Sequence, residues 1–216
     1  EFVPKPIIQI GERPIVWHLM KAYSHFGFKE FVLCLGYKGE IIKDYFLNYP
    51  LKVNDFTKTL NTNSFEIHSA DIEDWKITFA DTGLETLTGG RLLKAKKFLE
   101  GEDIFMATYG DGLANININE LLEFHKRKGK IATVTGGHPY SKWGMIQADS
   151  DNIVKSFWQK PVLTDYINVG FMVFNKEIFD FIKGDVEIEE VFRELVKDGQ
   201  VAMFPHDGFF HAMDTY

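Results

Sequence analysis

Ile104-Phe105-Met106-Ala107-Thr108-Tyr109-Gly110-Asp111-Gly112 is the stretch on which the fold turns. Its first half is an unbroken run of residues that favour strands, without the apolar-polar alternation of a sheet with one wet face. Such a run predicts a strand buried on both sides, the arrangement of a sheet covered by helices. The run stops at Gly-Asp-Gly, which sets one carboxylate between two residues that allow close backbone approach. In open α/β sheets ligands collect at the carboxyl ends of strands, so the same residues indicate where to look for chemistry.

Outward from this strand the pattern repeats. Residues 91–98 before it and 119–128 after it have helical spacing, and residues 76–80 read as another strand. Earlier, residues 14–26 read as a helix, with Ile15, Leu19, Tyr23 and Phe26 on one face and Pro14 in its first turn. Residues 31–35 then read as a strand, residues 36–39 as a Gly-Tyr-Lys-Gly loop and residues 40–46 as a helix. Later strands are predicted at 130–135, 144–148, 153–158 and 168–174, and helices at 176–183 and 188–197. Alternation of this kind predicts an α/β fold with a mostly parallel, mixed sheet and helices on both faces. Residues 51–75 are polar and aperiodic, an excursion over the sheet with short strands of its own. Tyr49 just before it, and Phe56 and Trp75 within it, are read as exposed aromatics that suit either a contact between subunits of a homo-oligomer or a cover over the core.

The 216 residues suit a single domain, and a 45% hydrophobic content supplies its core. A formal charge of −7 argues against nucleic acid as a partner, because such binding needs clustered cations to displace phosphate counterions. Any anionic ligand must be held by a local site. Cys34, the single cysteine, lies in an apolar run and reads as a buried, inert thiol, so a reducing cytoplasmic setting is expected. No apolar run approaches the ~20 residues of a membrane span, and no signal-peptide pattern opens the chain. The sequence begins at Glu1 and ends at Tyr216 without a helix-ending signal, as a fragment of a longer protein would.

Several other segments carry groups that suit phosphate chemistry, and each has an ordinary alternative. Asp111 could hold Mg²⁺, which favours one or two carboxylates plus phosphate oxygens, or could be a turn aspartate bonded to its own backbone. Lys160, after Ser156-Phe157-Trp158-Gln159, could meet a phosphate or simply be solvated, and Asp214 in Met213-Asp214-Thr215 could be a surface turn. Thr88-Gly89-Gly90-Arg91 runs into a helix, where exposed backbone N–H groups favour an anion or a nucleotide edge, or is an ordinary loop, in which Gly-Gly is common. Lys5, between Pro4 and Pro6, is aimed at little entropic cost, or lies on an exposed edge.

In this order, these segments resemble the sugar nucleotidyltransferase family, most closely its glucose-1-phosphate cytidylyltransferase branch. The resemblance rests on Lys5-Pro6, the I-G-x-x-P-I run from Ile10 to Ile15, Gly36-Tyr37-Lys38, Asp81-Thr82-Gly83 and Thr88-Gly89-Gly90-Arg91-Leu92. It continues through Tyr109-Gly110-Asp111-Gly112, Lys160-Pro161, the I-N-x-G-F run from Ile167 to Phe171, and Met213-Asp214-Thr215. It implies a Rossmann-like nucleotidyltransferase fold and a reaction of a nucleoside triphosphate, CTP on this branch, with a sugar-1-phosphate, glucose-1-phosphate on this branch. The products are an NDP-sugar and pyrophosphate, and the cofactor is Mg²⁺.

On the resemblance, Asp111 and Asp214 hold the metal, and Lys5 binds the nucleotide phosphates. Lys160 binds the sugar phosphate, Asn168 the sugar hydroxyls, and Thr88, Gly89, Gly90 and Arg91 the base and ribose. Gly110, Gln159 and Gly170 complete the substrate-binding set. Three departures matter. The family's Gly-rich loop ending in Thr-Arg would precede Glu1. Gln159 stands where an acidic residue is usual, keeping an acceptor without its charge. Val169-Gly170 stands where the branch has two glycines, which narrows the expected sugar pocket. Alternatives are a metal-dependent glycosyltransferase, disfavoured because Asp111 lacks a second aspartate beside it, and a non-catalytic relative that keeps the pocket.

Overall fold

A computed structural model describes residues 3–69 and 72–213. The chain opens with a short 3-10 turn, Lys5–Ile7, and a minimal antiparallel pair, β1 (Gln9–Ile10) with β2 (Arg13–Pro14). Helix α1 (Ile15–His25) follows directly on Pro14, whose extended backbone suits the position before a helix. Strand β3 (Glu30–Leu35), helix α2 (Gly39–Leu47) and a short α3 (Tyr49–Val53) come next, then a hairpin of β4 (Phe56–Thr59) and β5 (Ser64–Ile67). Strand β6 (Lys76–Asp81) pairs in parallel with β3. Helix α4 (Thr88–Ala95) leads through a 3-10 turn, Lys96–Phe98, to β7 (Ile104–Thr108) and β8 (Gly112–Ala114). Helix α5 (Ile118–Lys128), capped by the Asn117 side chain, precedes β9 (Ala132–Gly137) and the hairpin of β10 (Met145–Ala148) and β11 (Val154–Trp158). Strand β12 (Ile167–Asn175), a 3-10 turn at Lys176–Asp180, helix α6 (Ile188–Lys197), β13 (Val201–His206) and β14 (Phe210–Ala212) complete the described chain.

The largest sheet has the order β13-β9-β12-β7. Strand β12 runs antiparallel to both neighbours, whereas β13 and β9 are parallel. The sheet is thus mixed. The unbroken apolar run of β12 reflects burial on both faces and carries no information about direction. Its alternation divides the core. Val169, Phe171 and Val173 face Ile15, Leu19 and Tyr23 of α1 and Ile118 and Leu121 of α5, while Met172 and Phe174 face Ile188, Val191 and Leu195 of α6. Helices therefore cover both faces, as expected. A third cluster packs Val16 and Met20 of α1 with Ile42 and Tyr45 of α2, and Phe31 and Leu33 of β3 lie against it. Among the described residues, β3–β6 forms a separate two-stranded sheet.

Several expectations need correction. The helix expected over 176–183 is a 3-10 turn ending at Asp180, because the adjacent residues Ile178 and Phe179 are both buried and the tighter turn brings both onto the core. The helix expected at 91–98 begins at Thr88 and ends in the 3-10 turn at 96–98. Strand β13 was not foreseen, because Pro205 breaks a strand pattern; it is tolerated there since β13 lies at the edge of the sheet. Tyr49 is buried, its hydroxyl accepting from Trp17 Nε1 at 2.9 Å, and Trp75 packs on the third cluster, so of the three aromatics only Phe56 is exposed. Cys34 is half-buried, and burial pushes its thiol above the ordinary value, in keeping with an inert side chain.

Candidate active site

The site begins with the turn that aims Lys5. Ile7 is buried against the third cluster, and the Ile7 and Ile8 N–H groups donate to the Pro4 and Lys5 carbonyls at 2.9 and 3.0 Å. The apolar anchor and the two prolines together fix the backbone at Lys5. Pro6 lies against the end of β7, where a Cβ on Gly110 would come within 3.0 Å of Pro6 Cγ. Gly110 is therefore the contact that lets the turn approach. As a result, Lys5 Nζ stands 3.5 Å from Asp111 Oδ2, and both side chains are about a third exposed, at 34% and 30%.

The opposite wall comes from β12 and the last strands. The pairing of β12 with β9 shifts register between Asn168 and Met172, and Gly170 within that shift has φ +84°. Gly170 N–H donates to Asn168 Oδ1 at 2.9 Å, which uses the amide oxygen and leaves the amide N–H groups as what Asn168 can offer a ligand. A Cβ on Gly170 would lie 2.6 Å from Tyr109 Cδ2, so only glycine lets the Tyr109 ring lie there. Burial, reinforced by a hydrogen bond to Glu189, pushes the Tyr109 phenol well above its ordinary value, so it remains a protonated donor. Strand β14 pairs with β8, and Met213 N–H donates to the Asp111 carbonyl at 2.8 Å. Lys5, Tyr109, Gly110, Asp111, Asn168 and Phe210 line one cavity of about 540 Å³.

The structure thus brings together Lys5, Gly110, Asp111 and Asn168, with Gly170 directly behind the Tyr109 wall. Asp214 lies outside the described residues. Gln159 and Lys160 follow β11 and are not among the residues lining this cavity. Lys160 has φ +48°, the left-handed region that a residue before proline seldom adopts.

The reading of Thr88 to Gly90 as a Gly-rich approach with open N–H groups is corrected. The Leu87 and Thr88 N–H groups donate to Asp185 Oδ1 and Glu187 Oε2 at 2.8 and 3.3 Å, and those of Gly89 and Gly90 donate to the Val186 carbonyl at 2.9 and 3.3 Å. The start of α4 is satisfied by the chain itself, and the glycines are needed because residues 185–187 press on them. A Cβ on Gly90 would meet Asp185 Oδ1, and one on Gly89 would lie 2.7 Å from the Val186 carbonyl. Arg91 Nη1 donates to Thr82 Oγ1 at 2.7 Å and Nη2 to the Leu84 carbonyl at 3.3 Å. Asp81, Thr82 and Gly83 line a second cavity of about 480 Å³ with Lys94, whose ammonium donates to the Thr82 carbonyl at 2.7 Å.

Sequence reasoning passed over Pro6, Phe210 and Glu189 as site residues. Pro6 carried a signal, since it belongs to the Lys5-Pro6 motif. Glu189 carried none, because one glutamate on a charged helix face looks like any other.

A family profile described as nucleotidyl transferase matches residues 2–210. The chain is 44% identical to the "Probable glucose-1-phosphate cytidylyltransferase" of Bacillus subtilis, over 99% of this chain and 84% of that protein. It is 40% identical to the glucose-1-phosphate cytidylyltransferase of Salmonella typhi, over 98% of this chain and 83% of that protein. Among solved structures, HddC from Yersinia pseudotuberculosis superposes with a TM-score of 0.69 at 21% identity, covering 99% of this chain and 85% of that one. A UDP-glucose pyrophosphorylase complexed with UDP-glucose gives a TM-score of 0.65 at 15% identity, covering 97% and 84%. These two likenesses concern the fold.

Proposed function

The chain belongs to the nucleotidyl transferase family, and from that premise we propose that the cavity between Lys5, Asp111 and Asn168 is where a sugar-1-phosphate oxygen attacks the α-phosphorus of a nucleoside triphosphate. It is a sugar-1-phosphate nucleotidylyltransferase, with glucose-1-phosphate and CTP as the substrate pair suggested by its relatives. The observation that carries this reading is the Lys5–Asp111 pair at 3.5 Å, at a strand end and beside the Asn168 amide. Phosphoryl-transfer sites work through positioning and charge neutralisation and need little covalent chemistry from the protein. Lys5 supplies a cation to phosphate oxygens, and Asn168 supplies N–H donors to sugar or phosphate oxygens.

The residues fit a magnesium ion. Asp111, at the end of a strand and facing the cavity, would hold the ion together with phosphate oxygens of the substrate, the donor set Mg²⁺ favours. Asp214 follows directly on Met213, which is bonded to Asp111, and is proposed as the second carboxylate. When bound, Mg²⁺ supplies positive charge to the triphosphate. Lys160 and Gln159 are proposed to approach the sugar phosphate from beyond β11. Assigning Thr88, Gly89, Gly90 and Arg91 to the base and ribose rests on the resemblance, and their bonds within the chain leave the remaining Arg91 N–H groups as the available donors. No helix among the described residues is long and apolar enough to cross a membrane.

The test is pyrophosphate release from CTP, UTP, dTTP, GTP or ATP with glucose-1-phosphate, with and without Mg²⁺. CTP with Mg²⁺ should give the highest kcat/KM. Release with another nucleotide alone would overturn the cytidine assignment, and no release with any of them would overturn the enzyme reading.

A further inference from the structure

Three carboxylates cluster around the start of α6, and each accepts a hydrogen bond from another element. Asp185 Oδ1 accepts from Leu87 N–H at 2.8 Å. Glu187 Oε2 accepts from the Thr88 hydroxyl at 2.6 Å, and that hydroxyl accepts in return from Ile188 N–H at 2.8 Å. These bonds cap α4 and α6 reciprocally, satisfying backbone groups that helix ends leave open. The third is of another kind. Glu189 Oε1 accepts from the Tyr109 hydroxyl at 2.5 Å, which satisfies no helix end and orders an exposed glutamate that solvent would otherwise serve.

We propose that Glu189 is a positioning residue for the sugar-phosphate side of the site, acting through Tyr109; the inference rests on the functional reading above. The Tyr109 ring lies where a Cβ of residue 170 would be, 2.6 Å from its Cδ2. The ring packs in part against the core cluster of Met172, Phe174 and Ile188, and the hydroxyl bond to Glu189 fixes its far end. The ring in turn backs the register shift of β12, in which Gly170 N–H holds Asn168 Oδ1 at 2.9 Å. A displaced ring would therefore disturb the shifted strand that carries the Asn168 amide. Tyr109 also directly precedes Gly110 and Asp111 and lines the same cavity. Because α6 is fixed to α4 by the two caps, the Glu189 bond holds this wall in register with α4, the element on which Thr88 and Arg91 sit.

The test compares Glu189→Ala, Glu189→Gln, Tyr109→Phe and the double variant Glu189→Ala/Tyr109→Phe. It uses steady-state kinetics with CTP and glucose-1-phosphate, calorimetric binding of glucose-1-phosphate, and thermal melts. Glu189→Ala and Tyr109→Phe should each raise KM and Kd for glucose-1-phosphate about tenfold, equivalent to ~1.4 kcal/mol. KM for CTP and the melting temperature should stay close to those of the parent. The double variant should be no worse than either single one, since both remove one shared bond. Glu189→Gln keeps an acceptor for the phenol and should restore the parent's values to within about twofold. Equal rises in KM for both substrates, multiplicative losses in the double variant, or failure of Glu189→Gln to restore would each overturn the proposal. If the parent binds glucose-1-phosphate and the variants match it, this inference alone fails. A parent chain that binds none overturns the functional reading and the inference with it.

Discussion

The ammonium of Lys5 lies 3.5 Å from the carboxylate of Asp111, although the two residues come from a prolyl turn before β1 and from the end of β7. Each is about a third exposed, so the pair contributes little to stability, on the order of 0–1 kcal/mol. Asp111→Asn should therefore melt within a few degrees of the parent while losing at least ~100-fold in turnover, the loss seen when one strong transition-state electrostatic contact is removed. Pyrophosphate release and a thermal melt check the two halves. An active Asp111→Asn protein would remove Asp111 from the phosphate chemistry.

Gly110→Ala should damage the site without touching either charge. The new Cβ would sit 3.0 Å from Pro6 Cγ, so the turn carrying Lys5 must retreat by a few tenths of an ångström. Catalytic positioning is sensitive on that scale, and kcat/KM should fall by roughly tenfold. The salt dependence of KM for the nucleotide would report the weakened cation.

Lys160→Gly separates backbone strain from side-chain chemistry. At φ +48° a lysine costs roughly 1–2 kcal/mol that glycine does not, so part of that strain should be relieved, offset in part by the greater freedom of glycine in the unfolded chain. The variant should melt no lower than the parent. If Lys160 meets the sugar phosphate, KM for glucose-1-phosphate should rise about tenfold or more while that for CTP changes little. Equal losses for both substrates would place Lys160 in the nucleotide half.

Stability should fall as pH drops below the ordinary histidine range, through His125. Its ring is buried between Thr133 Oγ1 at 2.8 Å and Asn175 Oδ1 at 2.9 Å, and burial holds its pKa below the usual value, with the Asn175 bond opposing. The unfolded chain then takes up a proton at a higher pH than the folded one. The contribution is whole above about pH 6.5 and is lost as pH falls from there through the folded value. Urea unfolding at pH 7.5 and 5.5 should show a larger drop for the parent than for His125→Gln. Equal drops would rule His125 out as the cause.

The elements that were legible are those whose pattern arises from burial. Residues 188–197 carry apolar side chains at helical spacing and form α6 as expected, and the apolar runs at β3, β7 and β12 are strands. Strand direction was less accessible, because β12 buried on both faces looks the same whichever way it runs. In the site, Lys5 and Asp111 could be named individually, but their proximity depends on Pro6 packing on Gly110, a contact between residues about a hundred positions apart. Thr88 to Gly90 misled for a related reason. A glycine pair before a helix signals close approach, and only the structure shows that the approaching group is the chain's own Val186 carbonyl.

The β10–β11 hairpin that leads to Gln159 and Lys160 exposes residues along both strands, including Ile146, Val154 and Phe157. A two-stranded ribbon with so little core contact is marginal by itself. Its amides should exchange with solvent far sooner than those of β12 from Val169 to Phe174, which are buried on both faces. The cavity and the residues proposed to approach it from beyond β11 thus rest on foundations of unequal stiffness. Lys5 and Asp111 are braced by packed elements, whereas Gln159 and Lys160 follow a hairpin with exposed strands, which on its own should open locally more readily. If Lys160 meets the sugar phosphate, part of the free energy of binding should go into organising that arm, and substitutions that stiffen it far from the reacting atoms should tighten the sugar phosphate without adding a contact.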